Sequence, residues 1–146
     1  MNRILLVDDD LVTLRCYAAG LSRRGFKVDT ASDGLTAIQA LRTAKPDLIV
    51  LDLMMPKLNG VDVLKFVRSN PALANVPVIV LSNSFGEEAA AQAADAGANK
   101  GFVKTSCTPS LLAQVVADLL EGRSVENAEH RLLAVVRATR EKKPTS

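Results

Sequence analysis

Tryptophan is absent from this chain, and aromatic residues make up only 3% of its 146 residues. Any core must therefore be aliphatic, and leucine, valine, isoleucine and alanine supply it within a hydrophobic content of 48%. A chain of this length is long enough for one well-buried core. Histidine occurs once, as His130. No histidine-based metal centre or catalytic histidine cluster can then be built within one chain, and a solvent-facing helix position is the expected role. The two cysteines, Cys16 and Cys107, have neither metal-ligand spacing nor the number for a disulfide framework. Reduced thiols are expected, and Cys107 is read as a bystander. No apolar stretch reaches the roughly 18 residues of a membrane span, and Met1-Asn2-Arg3 enters a strand-like segment without a signal-peptide pattern. A soluble, cytoplasmic protein is expected.

Charge bias is also small. The formal net charge is +2, and from Arg123 onward six basic residues stand against three acidic ones, which leaves residues 1–122 at −1. A near-neutral body with a mildly basic tail gives weak grounds for any nucleic-acid or membrane role.

What the chain does have is acid at the ends of apolar runs. Ile4-Leu5-Leu6-Val7 ends on Asp8-Asp9-Asp10, and Leu48-Ile49-Val50-Leu51 ends on Asp52. Short, uniformly apolar runs of this kind suit strands buried on both faces of a parallel sheet. If the two strands are neighbours, their carboxylates meet at one sheet edge. There they repel one another and are driven towards protonation unless a cation is shared. Hard oxygen ligands suit Mg²⁺, which takes one or two carboxylates and keeps several waters.

Apolar strands alternate with helical patterns along residues 4–121. Helices are expected over Val12–Arg24, Gly34–Ala44, Gly60–Ser69, Glu87–Ala96 and Thr108–Glu121, with Gly25 and Gly97 as stops and Pro109 in the last helix's first turn. Strands are expected over Phe26–Ala31, Leu48–Leu51, Val78–Leu81 and Lys100–Val103, besides the first run. This alternation predicts a doubly wound α/β sheet, whose ligand site lies beyond the carboxyl ends of the strands. Asp8, Asp9, Asp52, Ser82 and Lys104 all fall at that edge. Their convergence is more informative than any one of them.

At these residues the chain resembles a response-regulator receiver domain of two-component signalling, chemotaxis-regulator-like, over about residues 2–121. The resemblance rests on Val7-Asp8-Asp9, on Asp52-Leu53-Met54-Met55-Pro56 followed by Gly60, and on Ser82, Gly97-Ala98 and Lys104, in that order. It implies a flavodoxin-like fold: a five-stranded parallel sheet of order 2-1-3-4-5. It also implies that Asp52 is the phosphoacceptor, taking a phosphoryl group from a histidine kinase, a phosphotransfer protein or a small phosphodonor. Asp9, Asp52 and the Met54 backbone carbonyl would bind Mg²⁺, with Asp8 acting through water. Lys104 and the Ser82 hydroxyl would hold phosphoryl oxygens. The implied output is a switched protein–protein interaction with a downstream target. Catalysis would be confined to the domain's own aspartyl phosphorylation and dephosphorylation.

Plainer roles compete at some positions. Asp10 is expected to cap the first helix, since Asp is a favoured N-cap. Ser82-Asn83-Ser84 could be turn chemistry, and Met54 and Met55 read as loop-packing residues. Two positions depart from the family's pattern. Thr105 stands where proline usually follows the lysine through a cis bond, and a trans Lys104–Thr105 bond is expected because cis costs about 2.5–4 kcal/mol before a non-proline residue. Gly101 stands where the family has an aromatic switch residue. The adjacent Phe102 should point into the core, since side chains alternate across a strand.

The domain reading is a receiver over residues 1–122 and a C-terminal extension over 123–146. Within the extension Val125, Ala128, Leu132, Val135, Val136 and Thr139 recur at amphipathic helical spacing. That stripe is expected to pack on its own receiver, or else to join a homodimer or coiled-coil linker, with a basic contact to nucleic acid the least expected. No DNA-binding or enzymatic output domain is recognisable in these residues. The alternative function is a pseudo-receiver, an interaction module independent of phosphorylation, kept open by Gly101 and Thr105. An aspartate-nucleophile phosphatase is disfavoured because Met54 stands where such enzymes carry a second Asp. An FMN site is disfavoured because no phosphate-cradling loop follows the first strand.

Overall fold

The computed structural model describes residues 2–55, 58–83 and 87–122, with backbone alone over 87–90. The C-terminal stripe and His130 lie outside the described residues. Among the described residues five strands, β1 (Arg3–Val7), β2 (Lys27–Ala31), β3 (Leu48–Asp52), β4 (Val78–Ser82) and β5 (Lys100–Val103), alternate with five helices. These are α1 (Leu11–Arg23), α2 (Gly34–Thr43), α3 (Gly60–Ser69), α4 (Glu87–Asp95) and α5 (Pro109–Leu120). The sheet is parallel throughout and ordered β2-β1-β3-β4-β5, as expected. Among the described residues no helix is long and apolar enough to cross a membrane.

The central strands are apolar at every position because helices cover both faces. Leu5, Val7, Ile49, Leu51, Val78 and Val80 point to one side and pack on Ala37, Leu41, Val63, Leu64 and Val67. Ile4, Leu6, Leu48, Val50, Ile79 and Leu81 point to the other side and meet Leu14, Tyr17 and Leu21 of α1 and Leu112, Val115 and Val116 of α5. Phe102 joins this second layer and is buried, as the alternation predicts.

Helix starts follow side-chain chemistry. The Asp10 carboxylate accepts from the Val12 and Thr13 amides, so Asp10 is the cap expected of it. Asp33, Asn59 and Thr108 cap α2, α3 and α5 in the same manner. Gly25, just past α1, has a φ of 89°, a left-handed conformation that L side chains rarely adopt. Gly60 is required for space instead: a Cβ there would run into the Asp52 carbonyl oxygen.

Every expected element bound falls within one residue of the observed one, and two differences bear on the site. β3 and β4 run one residue further than expected and include Asp52 and Ser82, because the ladder bonds continue to the start of each loop. Between β5 and α5 lies a 3₁₀ turn, Lys104–Ser106, where no regular element was foreseen. Three residues without apolar periodicity give no signal for such a turn.

Candidate functional site

All five polar candidates lie at the carboxyl edge of the sheet. β1 delivers Asp8 and Asp9, β3 ends on Asp52, β4 on Ser82, and Lys104 follows β5. Parallel register aligns them, with Val7 beside Leu51, Asp52 beside Leu81, and Ser82 beside Val103. Carboxylate oxygens of Asp8, Asp9 and Asp52 lie within 4.8 Å of one another. Asp8 and Asp52 are each only 1% exposed, Ser82 is buried with them, and Asp9 faces solvent.

The Lys104 ammonium sits between the two buried acids, with Nζ 2.8 Å from Asp8 Oδ2 and 3.3 Å from Asp52 Oδ2. The other oxygen of each acid is held by nearby backbone. The Asp10 amide donates to Asp8 Oδ1 at 2.9 Å, and the Met54 amide to Asp52 Oδ1 at 3.1 Å. The Met54 side chain is 67% exposed and takes no part in the cluster.

These distances set the electrostatics. The Asp52 carboxyl is raised to about 7, chiefly by burial, with the Met54 amide and Lys104 opposing the rise and Asp8 adding to it. Burial alone would lower the Lys104 pKa, but the Asp8 and Asp52 carboxylates outweigh it and hold the ammonium above its ordinary value. Among the described residues one ammonium faces three carboxylates, and the buried Asp8 Oδ2 has no aligned hydrogen-bond donor besides this ion contact. A buried carboxylate oxygen short of donors, beside two further acids, suits a hard divalent cation.

The Lys104–Thr105 peptide is trans, as no cis bond occurs among the described residues. Its 3₁₀ turn is closed by the Cys107 amide, which donates to the Lys104 carbonyl at 3.2 Å. The Cys107 carbonyl in turn accepts from the Tyr17 hydroxyl at 2.7 Å. Sequence reasoning gave Tyr17 no role in the site. A signal for more was present, since a phenol in an otherwise aliphatic stripe has to find an acceptor. The Cys107 thiol is buried, which pushes its pKa up to about 12. That fits an inert side chain.

Comparison with known proteins agrees with this geometry. The response regulator receiver domain family matches residues 4–117. The chain is 36% identical over 123 residues to a probable transcriptional regulatory protein, SilR, of Salmonella typhimurium, covering 84% of this chain and 53% of that protein. It is 34% identical over 127 residues to the response regulator MprA of Mycobacterium avium, covering 87% and 55%. The chain thus spans about half the length of these curated relatives. Among solved structures it is similar to the chemotaxis protein CheY4 of Vibrio cholerae, with a TM-score of 0.75, 27% identity, and coverage of 80% of this chain and 97% of that one. A two-component response regulator of the LuxR family from Aurantimonas sp. SI85-9A1 superposes with a TM-score of 0.78 at 28% identity, over 97% and 99%. Fold, acidic edge and sequence matches together place the chain in the response regulator receiver domain family, the phosphorylation-signalling module of two-component systems.

Proposed function

We propose that Asp52 is the phosphoacceptor of this receiver, and that the group it accepts switches the chain's interactions with a downstream protein. The observation that carries this reading is the Lys104 ammonium held between the buried Asp8 and Asp52 carboxylates. Asp52 Oδ2 attacks the phosphorus of a phosphohistidine on a histidine kinase or phosphotransfer protein. A P–O bond forms, the P–N bond breaks, and its electron pair leaves with the imidazole. Phosphoryl transfer needs mainly positioning and charge neutralisation, and a carboxylate needs no base to act as nucleophile. Lys104 and the Ser82 hydroxyl hold the oxygens of the transferred group. Asp9, Asp52 and the Met54 carbonyl would hold Mg²⁺, with Asp8 acting through water. When bound, Mg²⁺ neutralises charge on the phosphoryl oxygens.

On this reading the chain catalyses only its own phosphorylation and dephosphorylation. It works in the cytoplasm, where a kinase, a protein target or a second copy of the chain can meet it. No observation favours a phosphorylation-independent interaction module.

The test is intact mass after incubation with Mg²⁺ and acetyl phosphate, with Asp52→Asn alongside. One added HPO₃ on the wild type only is the expected result. No adduct from acetyl phosphate or from a phosphorylated kinase, with Mg²⁺ binding verified, would overturn the assignment.

A further inference from the structure

Lys104 is held by little of its own. It opens a single 3₁₀ turn, Lys104–Ser106, preceded by Val103 without any side-chain cap. One backbone bond, Cys107 N–H to the Lys104 carbonyl, closes the turn, and Thr105 and Ser106 are exposed. Short 3₁₀ segments have poor hydrogen-bond geometry. Thr105, unlike a proline, leaves its own φ free. Lysine's long flexible stem adds further freedom. Nevertheless the ammonium bridges two carboxylates at 2.8 and 3.3 Å.

The missing constraint comes from α1. Tyr17 is buried on that helix, and its hydroxyl donates to the carbonyl of Cys107, the residue that ends the turn. Three residues on, Gly20 lies so close to Pro109 that an added Cβ would stand 2.9 Å from the Pro109 Cβ. The loop is thus clamped to α1 at Cys107 and again at the start of α5. Helix α1 is itself tied to the acids: its cap, Asp10, donates its amide to Asp8 Oδ1. The contacts close a ring from Asp8 through Asp10, α1, Tyr17, Cys107 and Lys104 back to Asp8.

We propose that Tyr17 is a positioning residue: its hydroxyl fixes the Lys104 turn against α1 and so sets the ammonium between Asp8 and Asp52 for phosphoryl acceptance. The inference rests on the role proposed above for Lys104. The Tyr17 phenol touches neither the acids nor the incoming group and acts only through Cys107 and the turn.

Tyr17→Phe keeps the ring in the core and removes one oxygen. Phosphorylation of Asp52 by phosphoramidate, followed by intact mass at saturating Mg²⁺ and below the unfolding transition, compares wild type, Tyr17→Phe, Lys104→Ala and the double variant. The saturating rate of Tyr17→Phe should fall about tenfold, within the range for a misplaced reacting group. Its half-saturating donor concentration should stay unchanged. The same substitution should cause no further loss in the Lys104→Ala background, because its effect passes through Lys104. Hydrogen exchange supplies a readout independent of any donor: amides of residues 104–107 should lose protection in Tyr17→Phe while the middles of α1 and α5 keep theirs. A wild-type rate, an equal loss in both backgrounds, or unchanged exchange at 104–107 would overturn the proposal. A wild type that takes up no phosphoryl group, together with loosened exchange in Tyr17→Phe, would overturn the acceptor reading of Asp52 instead. The hydroxyl's hold on the loop would then stand, without its catalytic purpose.

Discussion

Asp52 is nearly as buried as a core leucine, and its ionisation state follows from that. Its folded pKa of about 7 lies above the ordinary 3.8. Across the interval between them the folded state binds a proton that the unfolded state has already released. Stability therefore decreases as pH rises through that window. Asp52→Asn removes this contribution. In metal-free protein, urea unfolding of wild type and Asp52→Asn should diverge between about pH 4.5 and pH 7.5, the variant becoming relatively more stable at the higher pH. A constant gap between the two would mean that Asp52 is already ionised at the lower pH.

At the scale of elements, strands bring the acids to the edge, and cap and loop amides then hold their carboxylate oxygens. Asp10 accepts three hydrogen bonds, from the Val12 and Thr13 amides and the Thr13 hydroxyl. It is also the residue whose amide holds Asp8. Asp10→Ala should lower stability through loss of the N-cap, read as a lower urea midpoint with an unchanged slope. Since the amide to Asp8 is backbone, the substitution should leave phosphoryl acceptance measurable. Gly60→Ala is expected to be harsher. The β3–α3 loop passes so close that a Cβ meets the Asp52 carbonyl and crowds Leu53. A cost of about 1–3 kcal/mol, typical of overpacking, should come with slower phosphorylation, because the loop that moves carries Met54. A Gly60→Ala protein as stable and as reactive as wild type would show that the loop yields without disturbing the acid.

Taken whole, the molecule is a sheet covered on both faces, with one polar edge that carries an excess of negative charge. Such an edge is a source of instability until a cation occupies it. Mg²⁺ should therefore raise the melting temperature of the wild type, since a ligand that binds only the folded state stabilises by RT ln(1 + [L]/Kd), about 2.7 kcal/mol at a hundredfold excess over Kd. In Asp9→Asn, which removes an exposed carboxylate of the proposed Mg²⁺ site without opening the core, the same addition should give a much smaller rise. An equal rise in both proteins, read by scanning calorimetry, would remove Asp9 from the ligand set.

Much of this is legible in the amino-acid sequence. Runs such as Leu48–Leu51, apolar at every position, can be strands only where both faces are covered. That requirement, with helical stretches between the runs, settles the parallel sheet. Asp8, Asp9, Asp52, Ser82 and Lys104 follow such runs, so their arrival at one edge was a consequence of topology. Asp10 as a cap and the trans bond before Thr105 were likewise legible, because each rests on local chemistry. Local chemistry says nothing about partners distant in sequence. That Lys104 would pair more closely with Asp8 than with Asp52, that the Tyr17 hydroxyl would find the Cys107 carbonyl 90 residues away, and that Gly60 would press on the Asp52 backbone were decided by the packing of helices on the sheet. The sequence alone determined which side chains reach the edge, because strand ends and caps are written in neighbouring residues. Only the tertiary structure decided how those side chains are held, since ångström-scale distances between remote groups are set by the close packing of the whole core.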